Sequence, residues 1–232
     1  MIVIKLFLGN QMFQYAIGKE LAIKNKTELY LDTGNFHHDI RNYELSIFDI
    51  HAYIATQKQM PFYQKEITNP LLFKLRYPFQ RICKKLDPRY IIENPKHPKI
   101  HRMYDFNPKI LDLTGYKYLE NRQSEKYFLD IVNIIRKDFL LKHPIDDEKN
   151  ITTLYKMKET DSVSIHIRRG DYISDFAICE KHYYQQAIDY ITSKISTPTF
   201  FVFSEDITWC KENLNMGKKY LFYRLEYQRK FI

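Results

Sequence analysis

The sequence predicts an α/β protein made of two Rossmann-like halves with a cleft between them, residues 1–145 and 146–232. Three observations lead there. Ile2–Leu6, Met12–Lys24 and Glu28–Leu31 read as strand, helix and strand, with Gly9-Asn10-Gln11 as the first turn, the opening of a βαβ unit. A second strand–helix–strand–helix series runs from Ser162 to Leu214. Between the two lies His143-Pro144-Ile145-Asp146-Asp147, a polar stretch that reads as an exposed linker.

Each element has a local reason. In Met12–Lys24, Phe13, Ala16, Ile17, Leu21 and Ala22 recur at helical spacing. Glu28–Leu31 is closed by Asp32-Thr33-Gly34-Asn35, a turn-forming run. From Asn42 to Ile110 the signals are mixed, because seven prolines punctuate the region. Leu71–Leu86 can hold a helix broken near Pro78, and Tyr116–Glu120 reads as a strand. Ser124–Leu140 is the clearest helix, with Ser124 as N-cap and Phe128, Ile131, Ile135 and Phe139 in one apolar stripe. In the second half, Ser162–Ile167 alternates as a strand and His182–Ile195 reads as a helix. Thr199–Phe203 is a continuous apolar run of the kind buried in parallel sheets. Ser204 is expected to cap a helix over Glu205–Leu214, and Lys219–Tyr223 to begin a further strand.

Bulk properties narrow the function classes. At 232 residues, 44% apolar, the chain is long enough to bury a core. A net charge of +8 favours anionic ligands or surfaces, although a solvated lysine-rich surface carries the same charge. Cys83, Cys179 and Cys210 are odd in number and far apart, so neither a disulfide framework nor a metal spacing is visible, which fits a reducing compartment. Met1–Leu8 is too short for a secretory core, and no apolar run reaches the length of a membrane span. The expected location is the cytoplasm, with peripheral contact to an anionic membrane as a further expectation.

The chemistry concentrates in His166-Ile167-Arg168-Arg169-Gly170-Asp171, at the end of a strand. Guanidinium groups bind phosphate oxygens through paired, charge-assisted hydrogen bonds, and ligands of open α/β sheets settle at the carboxyl ends of strands. One arginine can reach a diphosphate while Asp171 holds its neighbour and Gly170 turns the backbone. A surface ion pair with Asp171 would look the same in sequence and is worth roughly 0–1 kcal/mol. His166 is a contact to the ligand or a support for an arginine. Ser204, Glu205 and Asp206 form a second candidate, where carboxylates can accept from a base edge or a ribose hydroxyl; capping alone explains them nearly as well. Gly9, Asn10 and Gln11 form a third, near the expected cleft. His37, His38 and Asp39 lack partners at metal-ligand spacing. There is no Walker loop, no Gly-x-Ser-x-Gly elbow, no G-x-G-x-x-G fingerprint and no Asp-x-Asp.

Four blocks share one pattern. Leu-Gly-Asn-Gln-Met-Phe-Gln-Tyr-Ala (8–16), Gln-Ser-Glu-Lys-Tyr-Phe (123–128), Ile-His-Ile-Arg-Arg-Gly-Asp-Tyr (165–172) and Phe-Phe-Val-Phe-Ser-Glu-Asp-Ile-Thr-Trp (200–209) resemble the bacterial α-1,2-fucosyltransferases of glycosyltransferase family 11. The resemblance implies a GT-B fold with an acceptor-side first domain and a GDP-fucose-binding second domain. It implies transfer of L-fucose from GDP-β-L-fucose, with inversion, to the 2-hydroxyl of a terminal galactose-type acceptor, in surface polysaccharide assembly. No metal or other cofactor is expected. The donor diphosphate role falls on Arg168 or Arg169, with Arg169 preferred. Asp32, Asp39 and Glu125 are available carboxylates, and none is assigned as general base.

Two departures stand out. Phe7 occupies a position where the family usually has glycine, so a tighter or shifted turn is expected there. The family usually continues with another strand–helix segment and an Asn-Ser-(Ser/Thr)-Phe-Ser-Trp-Trp-like block, whereas 217–232 match neither. The expectation is a C-terminally truncated member whose second domain is incomplete. One alternative is a non-catalytic remnant that binds nucleotide or a partner. A nucleic-acid-binding protein is disfavoured, since the aromatics are spread as core and no recognised binding motif is present.

Overall fold

A computed structural model describes residues 2–3, 8–33, 42–56, 58–61, 79, 82–83, 86–91, 106–115, 117–119, 123–169, 178–215, 217 and 219–224. The chain divides into two compact units, Met1–His143 and Pro144–Ile232. Both carry parallel sheets, so the fold is mixed α/β.

The first unit holds β1 (Ile2–Val3), β2 (Tyr30–Asp32), β3 (Tyr53–Ile54), β4 (Tyr90–Ile91) and β5 (Tyr118–Leu119), in the order β3-β2-β1-β5-β4. All four pairings are parallel, and Ile2 lies between Leu31 and Leu119. Helix α1 (Leu8–Lys24) supplies the heart of the core: Tyr15, Ala16, Ile17, Leu21 and Ala22 pack with Leu29, Leu31, Leu45, Ile110, Leu119, Tyr127, Ile131 and Ile135. The predicted spacing in α1 is therefore right, but its start is not. Gly9, Asn10 and Gln11 lie inside the helix rather than in a turn before it. A Cβ on Gly9 would meet no atom within 4 Å, so nothing in its packing demands glycine there. At the other end, Lys26 takes the left-handed conformation (φ 51°). Its N–H donates to Ile23 O and that of Thr27 to Ala22 O, the paired bonds of a Schellman stop.

The predicted helix over Ser124–Leu140 is broken. Two 3₁₀ turns, Glu125–Tyr127 and Leu129–Ile131, precede α2 (Val132–Asp138). Ser124 makes no side-chain cap bond. Tertiary packing overrides the helical spacing. The buried Tyr127 accepts from Asn107 N–H through its hydroxyl and packs its ring on Phe106, while Phe128 turns to Phe13. Asp138, at the end of α2, ties the layers together. Its carboxylate accepts from the Tyr15 hydroxyl at 2.6 Å and lies 3.6 Å from Lys19 Nζ and 3.5 Å from His51 Nδ1.

The second unit runs α3 (Glu148–Lys158), β6 (Ser162–Ile167), α4 (Lys181–Lys194), β7 (Thr199–Ser204), α5 (Ile207–Asn213) and β8 (Tyr220–Arg224). The strand order is β6-β7-β8, all parallel, with Ile167 beside Ser204 and Ser204 beside Arg224. One face is covered by the two crossover helices, where Ile167, Phe200 and Val202 meet Ile188, Cys210 and Leu214. On the other face Phe201 and Phe203 stack with Tyr223. Helix α3 was not predicted, although Ile151, Leu154 and Tyr155 fall at helical spacing; it is capped by Asp147 and buries no residue. Residues 141–150, the expected linker among them, are all exposed. Among the described residues no helix is long and apolar enough to cross a membrane, and Cys83, Cys179 and Cys210 are free thiols.

Several expectations lie outside the described residues: the turn at Phe7, His37, His38 and Asp39, most of Leu71–Leu86, and Gly170 with Asp171.

Candidate functional site

The register of β6 and β7 builds the site. Because Ile167 pairs with Ser204, the residues that leave the two strands, Arg168-Arg169 and Glu205-Asp206, emerge side by side at the carboxyl ends of neighbouring parallel strands. Arg169 donates from Nε to Asp206 Oδ2 at 3.2 Å, and its guanidinium carbon stands 4.1 Å from the centre of the Trp209 ring. Its backbone N–H points at Glu205 Oε2, 3.5 Å away. The side chain keeps 17% of its surface exposed, so the charge is held firmly but not sealed off. Of the three guanidinium nitrogens of Arg169, Nε is the one that donates a hydrogen bond to a described residue.

Asp206 serves two partners at once. Its Oδ1 accepts the Trp209 N–H at 3.0 Å, capping α5, while Oδ2 holds Arg169. The expected cap, Ser204, sits instead at the end of β7, fully buried, where its hydroxyl accepts the Asp206 N–H. The helix thus starts two residues later than the sequence suggested, since aspartate two positions on reaches the free N–H groups. Below, burial pushes the Cys210 thiol up, with Ser204 and the Arg169 charge opposing. Burial, with Cys179 alongside, pushes the Tyr184 hydroxyl up to about 12.

The other predicted residues are placed as follows. Arg168 is half-buried beside Arg169. His166 is exposed and, by strand alternation, belongs to the sheet face opposite Ile167 and α5. Asp171, the expected partner of an arginine, is outside the described residues; the described partner is Asp206. Gly9 is exposed and Asn10 half-buried in the first turn of α1. Gln11 is fully buried, donates from Nε2 to Asn42 O at 2.9 Å and accepts the Glu44 N–H at Oε1 at 3.0 Å. Its amide therefore clamps the 42–44 backbone to α1. Sequence reasoning missed Trp209 as a site residue; its one signal was its place three residues after Asp206, at the end of the 200–209 block.

A guanidinium with this geometry can bind an anion. With Nε engaged, the edge formed by the two terminal nitrogens remains, and such an edge pairs with two oxygens of a phosphate. Comparison with known proteins then identifies the family. The model of glycosyl transferase family 11 matches residues 1–224. The chain belongs to glycosyl transferase family 11. It is 29% identical over 219 residues to an alpha-1,2-colitosyltransferase of Escherichia coli, covering 90% of this chain and 69% of that protein. The O-antigen biosynthesis glycosyltransferase WbnK of Escherichia coli is 29% identical over 230 residues, with 88% and 72% covered. A galactoside alpha-(1,2)-fucosyltransferase 2 of Bos taurus matches over 62 residues at 34% identity, only 24% of this chain and 18% of that one. A crystal structure of NodZ alpha-1,6-fucosyltransferase soaked with GDP-fucose overlaps 97% of this chain and 78% of its own, at 12% identity and a TM-score of 0.48.

Proposed function

We propose that this family 11 glycosyltransferase moves L-fucose from GDP-β-L-fucose, with inversion and without a metal, to the 2-hydroxyl of a terminal galactose-type acceptor in the assembly of a surface polysaccharide. The names of its E. coli relatives and of the mammalian partial matches support an α-1,2 linkage and an O-antigen setting. In this reading the chain is of the GT-B type. Residues 146–232 take the donor, through Arg169 first, with His166, Arg168, Asp171, Ser204, Glu205 and Asp206 around it. Residues 1–145 serve the acceptor side, with Gly9, Asn10 and Gln11 shaping it.

The observation that carries the reading is Arg169, fixed at the carboxyl end of β6 with its terminal guanidinium edge uncommitted among the described residues. During transfer the acceptor's 2-oxygen forms a bond to the sugar carbon and gives up its proton to a base, while the bond from that carbon to the β-phosphate oxygen breaks and its electrons leave with GDP. A preorganised guanidinium at that phosphate stabilises the charge as it develops. The Arg169→Ala variant is expected to transfer fucose roughly 10²–10³-fold more slowly, measured by release of GDP in the presence of a galactose-terminated acceptor. Equal rates in both proteins would remove the assigned role.

The colitosyltransferase, which aligns with 90% of the chain, favours a second reading in which the donor sugar is colitose. Side-by-side assay of the two GDP-linked sugars decides between them. GDP binding without transfer from either donor would instead support a non-catalytic protein that only holds nucleotide.

A further inference from the structure

We infer that Trp209 and Asp206 are positioning residues that present Arg169 end-on to a diphosphate, and that the indole of Trp209 senses whether that anion is bound. The inference rests on the reading of Arg169 as the donor-phosphate ligand; it adds Trp209 to the site and gives Asp206 a specific task there.

A free arginine at a strand end has many rotamers, and ordering it on ligand binding weakens affinity. Here the side chain is ordered beforehand by a closed circuit of three residues. Asp206 Oδ2 accepts from Arg169 Nε, Asp206 Oδ1 accepts from the Trp209 backbone N–H, and the Trp209 ring lies 4.1 Å under the Arg169 guanidinium carbon. One carboxylate therefore sets both the arginine and the first turn of the helix that carries the ring beneath it. The circuit is itself anchored. The fully buried Ser204 hydroxyl accepts the Asp206 N–H, and Tyr184 of α4 meets the indole edge-on, with centroids 6.4 Å apart and planes at 72°.

The choice of Nε matters. A carboxylate at Nε occupies the side edge of the guanidinium and leaves the end edge, whose two terminal nitrogens match two oxygens of one phosphate. The flat indole face restrains the guanidinium plane and, among the described residues, leaves that edge uncommitted; indole is the strongest of the aromatic faces for a cation. Sequence accounts for the sensor. Trp209 is the one tryptophan of the chain, so its emission reports a single place.

The test uses the full chain and GDP as the probe, with calorimetric titration and tryptophan emission measured side by side. Expected are an emission change in the wild type with the calorimetric midpoint, and no emission change in Arg169→Ala at any GDP concentration. Trp209→Leu should weaken GDP binding by roughly 3–30-fold, the range that a cation–π contact spans, and Trp209→Phe by clearly less, because a phenyl face restores part of the contact. In a double-mutant cycle the Trp209→Phe effect should vanish on the Arg169→Ala background, which a merely structural role of the ring would not produce. Calorimetric GDP binding with unchanged emission, and unaltered affinity in both Trp209 variants, would overturn the positioning role while leaving the donor reading intact. Absence of GDP binding by the folded wild type would bring down both.

Discussion

Arg169 stands at a partly covered position, where Asp206 accepts from its Nε and the Trp209 ring covers one face. Glu20, in the middle of α1, has no such arrangement. It is 7% exposed, and its Oε2 is buried with no hydrogen bond among the described residues. Burial first, and then the negative charge of Asp130, raise its carboxyl above the ordinary value, with Lys24 opposing. The folded state therefore takes up this proton more readily than the unfolded one. The stability linked to it is complete below the ordinary carboxyl value and is lost as pH rises through the raised one. Glu20→Gln, which mimics the neutral acid, should stabilise the protein at pH 7 by on the order of 1 kcal/mol. Urea melts at pH 7 and pH 4 check this: the gain should shrink at the lower pH, and a loss of stability at pH 7 would contradict it. At this scale the arginine pair was legible, since two guanidiniums after an alternating run identify themselves. Trp209 was not, because its role comes from a helix folding back onto a residue 40 positions earlier.

Among the elements, α1 is where the acceptor-side residues were expected, and its first turns show what those residues do locally. Gln11 binds the backbone at Asn42 and Glu44 with both ends of its amide. Gln11→Ala should cost about 1–3 kcal/mol, the range for leaving buried partners unsatisfied, and should speed amide exchange at Glu44 before it affects the rest of α1. Unchanged protection at Glu44 would refute the clamp. The longer periodic elements, α1, β6, α4 and β7, could be read from the sequence because each buries a face of its own. The two-residue strands β3 and β4 could not. β1 and β5 are equally short but were expected from longer apolar runs, whereas β3 and β4 lie in the proline-punctuated stretch, where two residues alone give no period. The start of α5 was misplaced for a subtler reason: Ser204 and Asp206 are both good caps, and only the register of β7 shows that Ser204 is still strand.

For the whole molecule, the division at His143 and Pro144 coincides with a run, 141–150, that is exposed throughout. Limited trypsin treatment should cut early at Lys142 or Lys149, and mass spectrometry of the first fragments would show it; first cuts at Lys19 in α1 or Lys137 in α2 would contradict the division. The two units also differ in how far apart their partners lie along the chain. In the second, each strand pairs with the next one made. In the first, Ile2 pairs with Leu119, and the Tyr15 hydroxyl meets Asp138 across 123 positions. Contacts this distant are slow to form. On the ribosome, β1 must wait, half-partnered, until Leu119, more than a hundred positions later, has emerged. The first unit is thus the slower of the two to mature relative to its own synthesis, and the one in which a translational pause or a chaperone would matter more.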